Sequence, residues 1–242
     1  MTGCLGGIGQ ALVHEFAQAG FVVIGMDRGA SAAGAGALPT HYIDAELDRF
    51  CVDPAYRDTV LARIKALCGG RLCVLINNAA HQVVKPVAQI TAADWMQTQH
   101  VNVMAPFLLT QGLLSELEAA RGSVVNIASI HGQLTKPEFV AYATSKTALV
   151  GMTRALAVEL GARIRVNAVC PAAIATPMLL AGFDGRPQAY QQLAEMHPVG
   201  RIGEPAEVAR TCRLLSDDQL GFLTGACIAL DGGIGARLHD PV

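Results

Sequence analysis

The chain has 242 residues, 52% of them hydrophobic and 16% charged, a balance that favours a buried α/β core over a disordered or highly solvated polymer. Its net charge of −2 supplies no basic field for nucleic acid or an anionic membrane. The apolar runs, such as Phe21–Met26 and Leu72–Ile76, are far shorter than the roughly 20 residues of a membrane span. Met1 leads directly into Thr2-Gly3 without a charged and apolar leader pattern, so the expected compartment is the cytoplasm. Seven cysteines are scattered without a CxxC pair, which argues against a disulfide framework or a metal site and for buried thiols.

Helical periodicity runs over Ile8–Gln18 and stops at Gly20; Phe21–Met26 then reads as a short strand. Gly29–Pro39 is a glycine- and alanine-rich loop, and His41–Asp44 a short strand. Pro54 opens a helix over Ala55–Leu67. Leu72–Ile76 is an apolar strand that runs into the turn Asn77-Asn78-Ala79-Ala80. A long helical region spans Ala92–Glu118, with Pro106 predicting a kink or a break near Ala105. Ser123–Ala128 is a strand, Ser129–Phe139 a loop, and Tyr142–Leu160 a helix ended by Gly161. Ile164–Val169 is a strand stopped by Pro171. Residues 172–200 are rich in turns around a short helix at Pro187–Met196. Pro205–Leu215 forms a helix and Ala226–Leu230 a last strand, closed by Asp231-Gly232-Gly233. Continuous apolar strands separated by helices predict a Rossmann-like, doubly wound α/β fold: one parallel sheet covered on both faces in a single domain, with ligands at the carboxyl ends of its strands.

Thr2-Gly3-Cys4-Leu5-Gly6-Gly7-Ile8-Gly9 fits TGxxxGxG. Glycines at 3, 7 and 9 permit a tight turn and close approach of a pyrophosphate, and the N–H groups around Leu5 and Ile8 would face that anion. Asp27, at the end of the next strand, can bind a ribose 2′-hydroxyl and repels a 2′-phosphate, favouring NAD over NADP. Arg28 beside it pulls the other way, since a cation can hold a phosphate. Such a motif should follow a strand, and only Met1 precedes it. The expectation is a sheet whose first strand is absent or truncated, with the natural start lying upstream and a GTG codon read as the initiator. The rival expectation is a truncated chain with impaired nucleotide affinity.

Tyr142-Ala-Thr-Ser-Lys146 is YxxxK at a helix start, which puts both side chains on one face a turn apart. A nearby ammonium, with a positively charged nicotinamide, should lower the phenol pKa. Tyr142 could then act as base in oxidation and acid in reduction. Ser129, at a strand end, would stabilise charge on the same oxygen.

These residues together resemble the short-chain dehydrogenase/reductase family over nearly the whole chain. The resemblance extends to Asn77-Asn78-Ala79-Ala80, Asn102, Arg165-Val166-Asn167, Cys170-Pro171, Thr176-Pro177-Met178, Gly203-Glu204-Pro205, Thr224-Gly225 and Leu230-Asp231-Gly232-Gly233. It implies that Asn102 bends its helix and holds a water which, with Lys146, relays protons. It implies that Asn78, Ala79, Ala80 and Pro171 line the cofactor site, that Asp44 approaches the adenine, and that Ile174 and Thr176 contact the carboxamide. Pro171-Ala172 replaces the family's Pro-Gly. A homotetramer is also implied, with Ala92–Glu118 and Tyr142–Leu160 at the interface.

Gln82, His131 and Ala172 fall where substrate should sit. Gln82 and Ser129-Ile130-His131-Gly132 resemble the 3-hydroxybutyrate dehydrogenase branch, which grips a carboxylate, although Phe139 stands where that branch has lysine. The predicted activity is hydride transfer between NAD and a small hydroxy acid, polyol, sugar or other secondary alcohol. Two alternatives stand beside it. One is a 3-oxoacyl-carrier reductase, which Asp27 opposes because such enzymes usually use NADPH. The other is a non-catalytic nucleotide-binding homologue.

Overall fold

The computed structural model describes residues 1–29 and 38–238, so most of the expected loop at Gly29–Pro39 lies outside the described residues. Helix α1 (Gly7–Gln18) leads to β1 (Ile24–Asp27) and β2 (His41–Asp44). Helices α2 (Leu47–Val52) and α3 (Pro54–Cys68) precede β3 (Val74–Asn77). Next come α4 (Ala92–Gln99), a π-turn at His100–Met104, α5 (Ala105–Gly112), α6 (Leu114–Ala120) and β4 (Ser123–Ile127). Then follow α7 (Val140–Leu160), β5 (Arg165–Pro171), α8 (Pro177–Ala181), α9 (Pro187–Met196), α10 (Pro205–Leu215) and β6 (Cys227–Leu230).

All strand pairs are parallel, in the orders β1-β2 and β3-β4-β5-β6. Met1 and Thr2 lie between the two groups. Met26 N–H donates to the Met1 carbonyl at 2.8 Å and Thr2 N–H to Ile76 at 3.0 Å. The place of the expected first strand therefore holds a single bridge, Thr2 opposite Met26. Across it the winding changes direction, and such a switch point opens a crevice at the carboxyl ends of the strands.

Every residue of β4 and β5 is buried, as expected of parallel strands sandwiched between helices. Successive side chains of β4 point to opposite faces. Val124 packs with Phe50, Ile64, Leu109 and Leu160, while Val125 and Ile127 pack with Leu12, Phe16, Val208 and Leu215 of α1 and α10. Full burial of each such side chain contributes about 1.5–3 kcal/mol. Helix starts follow local chemistry: the Asp53 carboxylate accepts the Tyr56 N–H ahead of α3, and Thr91 and Asp94 form a capping box on α4.

The 92–118 stretch breaks near Ala105, as expected, and has a second break that was not expected. It is interrupted by the π-turn and again at Leu113 (φ −110°, ψ 13°). Pro106 sits in the first turn of α5 and has no N–H for the Asn102 carbonyl four residues back, so the ordinary α-helical bond there is missing. Pro171 is the last residue of β5, paired with Leu230, rather than lying beyond the strand. Helix α2 was not anticipated; its six residues are too few to show periodicity, and Phe50, fully buried, anchors it. The long segment holding α8 and α9 is stapled at its base, where Ala175 N–H donates to Gly203 at 2.8 Å and Gly203 N–H to Ala173 at 3.0 Å. No helix of the described residues is long and apolar enough to cross a membrane.

Candidate active site

Helix α1 begins without a side-chain cap at Gly6, and its first backbone bond is Gln10 N–H to Gly6 at 2.8 Å. The N–H groups of Gly7, Ile8 and Gly9 are thus left open at the positive end of a helix, a donor set that fits a pyrophosphate. The preceding turn is too tight for side chains: a Cβ on Gly9 would lie 1.9 Å from the Gly3 carbonyl oxygen. Gly3, at φ +65°, would drive a Cβ to 2.8 Å from Asn78 Nδ2. That amide braces the turn, donating to the Thr2 and Gly3 carbonyls at 3.1 and 2.9 Å. The N–H groups of Asn78 and Ala79 both donate to Thr2 Oγ1 at 3.0 Å, and Ala80 follows at the surface.

Asp27, half-buried at the end of β1, accepts the Leu5 N–H at 2.9 Å and the Arg28 N–H at 2.9 Å. Asp44 ends β2 directly opposite, and the Arg28 side chain is exposed. The acid and the open helix terminus match a dinucleotide's ribose and pyrophosphate.

Ser129 leaves the end of β4 in extended conformation, its Oγ accepting the His131 N–H at 3.2 Å. Tyr142 lies in the first turn of α7 with Lys146 one turn on, the Nζ 5.6 Å from the phenol ring centroid. Lys146 is 2% exposed and donates to the Ile127 carbonyl at 2.7 Å. Burial pulls its pKa down to about 8. Burial also pushes the Tyr142 phenol up to about 12, with the facing Ser129 hydroxyl pulling the other way. In the chain by itself, burial dominates the phenol; the expected lowering involves a positively charged nicotinamide beside Lys146 as well.

Asn102, fully buried in the π-turn, spends its whole side chain on neighbours. Its Oδ1 accepts the His81 N–H at 2.7 Å, and its Nδ2 donates to the His81 carbonyl and to Ser145 Oγ, both at 2.9 Å. The side chain is therefore a brace, leaving the backbone carbonyl, freed by Pro106, as the group able to hold a water. Beneath the site, Asn77 donates to Asn126 at 2.8 Å and Asn126 to Thr153 at 2.9 Å. Sequence reasoning missed Asn126, Thr153 and Ser145. The signal available for Asn126 was a polar residue inside an otherwise apolar strand, which buries only if it finds a partner.

A family model described as enoyl-(acyl carrier protein) reductase matches residues 3–235. The chain belongs to the short-chain dehydrogenase/reductase family. FixR of Bradyrhizobium diazoefficiens is 36% identical over 245 residues, spanning 96% of this chain and 84% of that protein. The 3-oxoacyl-[acyl-carrier-protein] reductase FabG of Thermotoga maritima is 33% identical, over 97% of this chain and 96% of its own. Ligand-free aldohexose dehydrogenase of Thermoplasma acidophilum superposes with a TM-score of 0.90 at 26% identity, covering 100% of this chain and 94% of that one. 4-Hydroxyisoleucine dehydrogenase complexed with NADH has a TM-score of 0.86 at 26% identity, over 98% of both chains. A Beutenbergia cavernae protein described as an NAD(P)-dependent gluconate 5-dehydrogenase, with bound NADP, scores 0.85 at 29% identity, over 98% of this chain and 95% of that one.

In this short-chain dehydrogenase/reductase an aromatic cluster adjoins Tyr142. His131 stacks on Phe139 at 4.7 Å and meets Tyr142 edge-on at 5.8 Å, and Lys136 lies 4.5 Å over the Phe139 ring. Burial and the Lys136 charge hold the His131 pKa below its ordinary value, so the ring is neutral at pH 7. Its Nδ1 is buried and has no protein partner. Gln82 is exposed, whereas Ala172 is half-buried, its N–H donating to Leu230 at 3.1 Å. Ile174 is buried beside the staple, and Thr176 caps α8 through the Leu179 N–H at 3.2 Å. Thr176 also packs against the start of α1, where a Cβ on Gly7 would meet it at 3.0 Å.

Proposed function

We propose that this oxidoreductase moves a hydride between NAD and a small secondary alcohol or ketone, of the hydroxy-acid, polyol or sugar class. The observation that carries the reading is the Tyr142 phenol facing the Ser129 hydroxyl, with Lys146 a turn away. Tyr142 exchanges a proton with the substrate oxygen: it accepts one during oxidation and donates one during reduction. Ser129 donates a hydrogen bond to that oxygen as charge develops. Lys146, buried and cationic, favours phenolate once a second positive charge adjoins it, and would exchange its proton with solvent through a water held at the Asn102 carbonyl. Asn102 keeps the π-turn and the start of α7 in register. When bound, the dinucleotide supplies the site that gives or takes the hydride.

The NAD preference is supported by Asp27, whose carboxylate favours a hydroxyl over a phosphate, and by the NADH complex among the similar structures. The sugar class is supported by the aldohexose dehydrogenase likeness. Measuring NAD and NADP reduction over hydroxy acids, polyols and aldoses tests the reading, and turnover with none of them would sink it. The 3-oxoacyl-carrier reading has one observation in its favour, the FabG relative; NADPH-driven reduction of acetoacetyl-CoA exceeding every NAD reaction would establish it. A homotetramer is supported by the apolar groove of about 460 Å³ between α4, α5 and α7, lined by Met96, Met104, Phe107 and Met152. Light scattering tests that assembly. A cytoplasmic setting is supported by seven cysteines that are all free thiols.

A further inference from the structure

We propose that Tyr42 is a positioning residue for nucleotide choice: it pins the turn that presents Asp27, and with Asp44 makes an acidic edge that accepts a 2′-hydroxyl and rejects a 2′-phosphate. This rests on the reading that the site takes a dinucleotide.

Strands β1 and β2 pair with Asp27 opposite Asp44, so the two carboxylates leave the same edge of the sheet side by side. The chain then turns through Arg28 and Gly29, the latter at φ +88°, a backbone position that glycine adopts without strain. β2 holds that turn from two directions. Asp44 Oδ1 accepts the Gly29 N–H at 2.9 Å. The Tyr42 hydroxyl donates toward the Gly29 carbonyl and lies 3.2 Å from the Asp27 carbonyl. Tyr42 is itself held, since its ring packs against the core beneath α1 and its carbonyl accepts the Arg63 guanidinium at 3.0 Å. Burial, with Asp44 and Asp27 nearby, pushes its phenol up to about 12, so it remains a donor at any working pH.

The turn in turn fixes the acid. Asp27 is bonded on one oxygen by Leu5 of the glycine turn and on the other by Arg28. Each oxygen keeps a further lone pair free for the vicinal hydroxyls of a ribose. A 2′-phosphate would bring close to two negative charges against two carboxylates. Arg28 is the sole cationic side chain in the sequence from 28 to 40. It belongs to the turn that Tyr42 ties down, so releasing the turn gives Arg28 freedom to reach a 2′-phosphate while blurring the aim of Asp27.

The test is calorimetric titration of NAD and of NADP into the full chain and into Tyr42→Phe, Asp44→Ala and Asp27→Asn. Tyr42→Phe keeps the ring and loses one hydrogen bond, and should lower the preference for NAD over NADP about five- to tenfold. Asp44→Ala, at an exposed position, frees the Gly29 N–H and removes a charge; it should move the preference the same way if Tyr42→Phe fails to fold. A general loss of packing would weaken both nucleotides alike and leave their ratio unchanged. If Asp27→Asn shifts the ratio while Tyr42→Phe and Asp44→Ala do not, this proposal is overturned and the dinucleotide reading survives. If the unaltered chain binds neither nucleotide, that underlying reading falls and takes this one with it.

Discussion

Asn102 and Ser145 are joined side chain to side chain at 2.9 Å, linking the irregular turn before α5 to the helix that carries Tyr142 and Lys146. Ser145 passes the link on, its hydroxyl donating to the Tyr142 carbonyl at 2.7 Å. Asn102→Ala should therefore orphan the His81 N–H and carbonyl and loosen the start of α7 together. We expect a stability loss of about 2–4 kcal/mol from the unsatisfied buried groups, together with a fall in kcat. Urea unfolding checks the first; an unshifted midpoint contradicts the brace.

Tyr142→Phe preserves the edge-on packing with His131 and Phe139 and removes only the hydroxyl. Turnover should fall by about 10²–10⁴-fold, the range of a positioned acid–base group, with dinucleotide affinity nearly unchanged. The two reaction directions should also differ in pH dependence. Oxidation needs the phenol deprotonated, and because burial raises its pKa, the rate should climb with alkalinity. Reduction needs the proton in place and should stay level until alkaline pH, then fall. Parallel pH profiles in the two directions would remove Tyr142 from this role.

Lys146 carries its charge in a desolvated position, with its pKa lowered from 10.5 to about 8. The unfolded chain therefore holds this proton more tightly than the folded one. The penalty is full below about pH 8 and is relieved as pH rises toward the unfolded value. Lys146→Met removes this penalty, about 3 kcal/mol on the scale of 1.36 kcal/mol per pKa unit, but orphans the buried Ile127 carbonyl at a cost of about 1–3 kcal/mol; near pH 7 the unliganded variant should be as stable as the unaltered protein or slightly more so, with turnover abolished. Chemical denaturation of both proteins at neutral and alkaline pH reads this out; the stability of the variant relative to the unaltered protein should fall as pH rises.

His131, neutral above its lowered pKa, can offer substrate a hydrogen bond but no charge. His131→Ala should raise KM for substrate with little effect on dinucleotide affinity. In the unaltered enzyme, substrate KM should hardly change from about pH 7 to 9, whereas loss of a gripping cation would make it climb.

Periodicity and turn residues placed most elements of this fold within a residue or two. His41–Asp44, Pro187–Met196 and Pro205–Leu215 matched end to end, because proline starts and polar stops bound the last two and short alternation marks the first. The break near Ala105 was legible from Pro106, but its π-turn form was not, since a missing N–H does not say how the backbone before it rearranges. Ser129, Tyr142 and Lys146 could be picked out because their spacing encodes a strand end and one helical turn. The raised phenol pKa could not, because it depends on burial by residues distant in the chain. Tyr42 escaped notice for a related reason: its hydroxyl acts on a turn 13 residues earlier, a contact that only strand pairing creates.

The staple between Ala173–Ala175 and Gly203 closes the segment proposed to face substrate into one stretch with both ends fixed. Its length can change at small entropic expense, about 0.6 kcal/mol for each doubling of a flexible loop. The residues proposed to handle the proton, Ser129, Tyr142 and Lys146, lie outside it. The segment between the two halves of the staple is thus an exchangeable cassette. Grafting the corresponding stretch from a relative, joined after Pro177 and at Gly203 so that Thr176 keeps its place against the start of α1, offers a direct route to new substrates on an unchanged reaction centre.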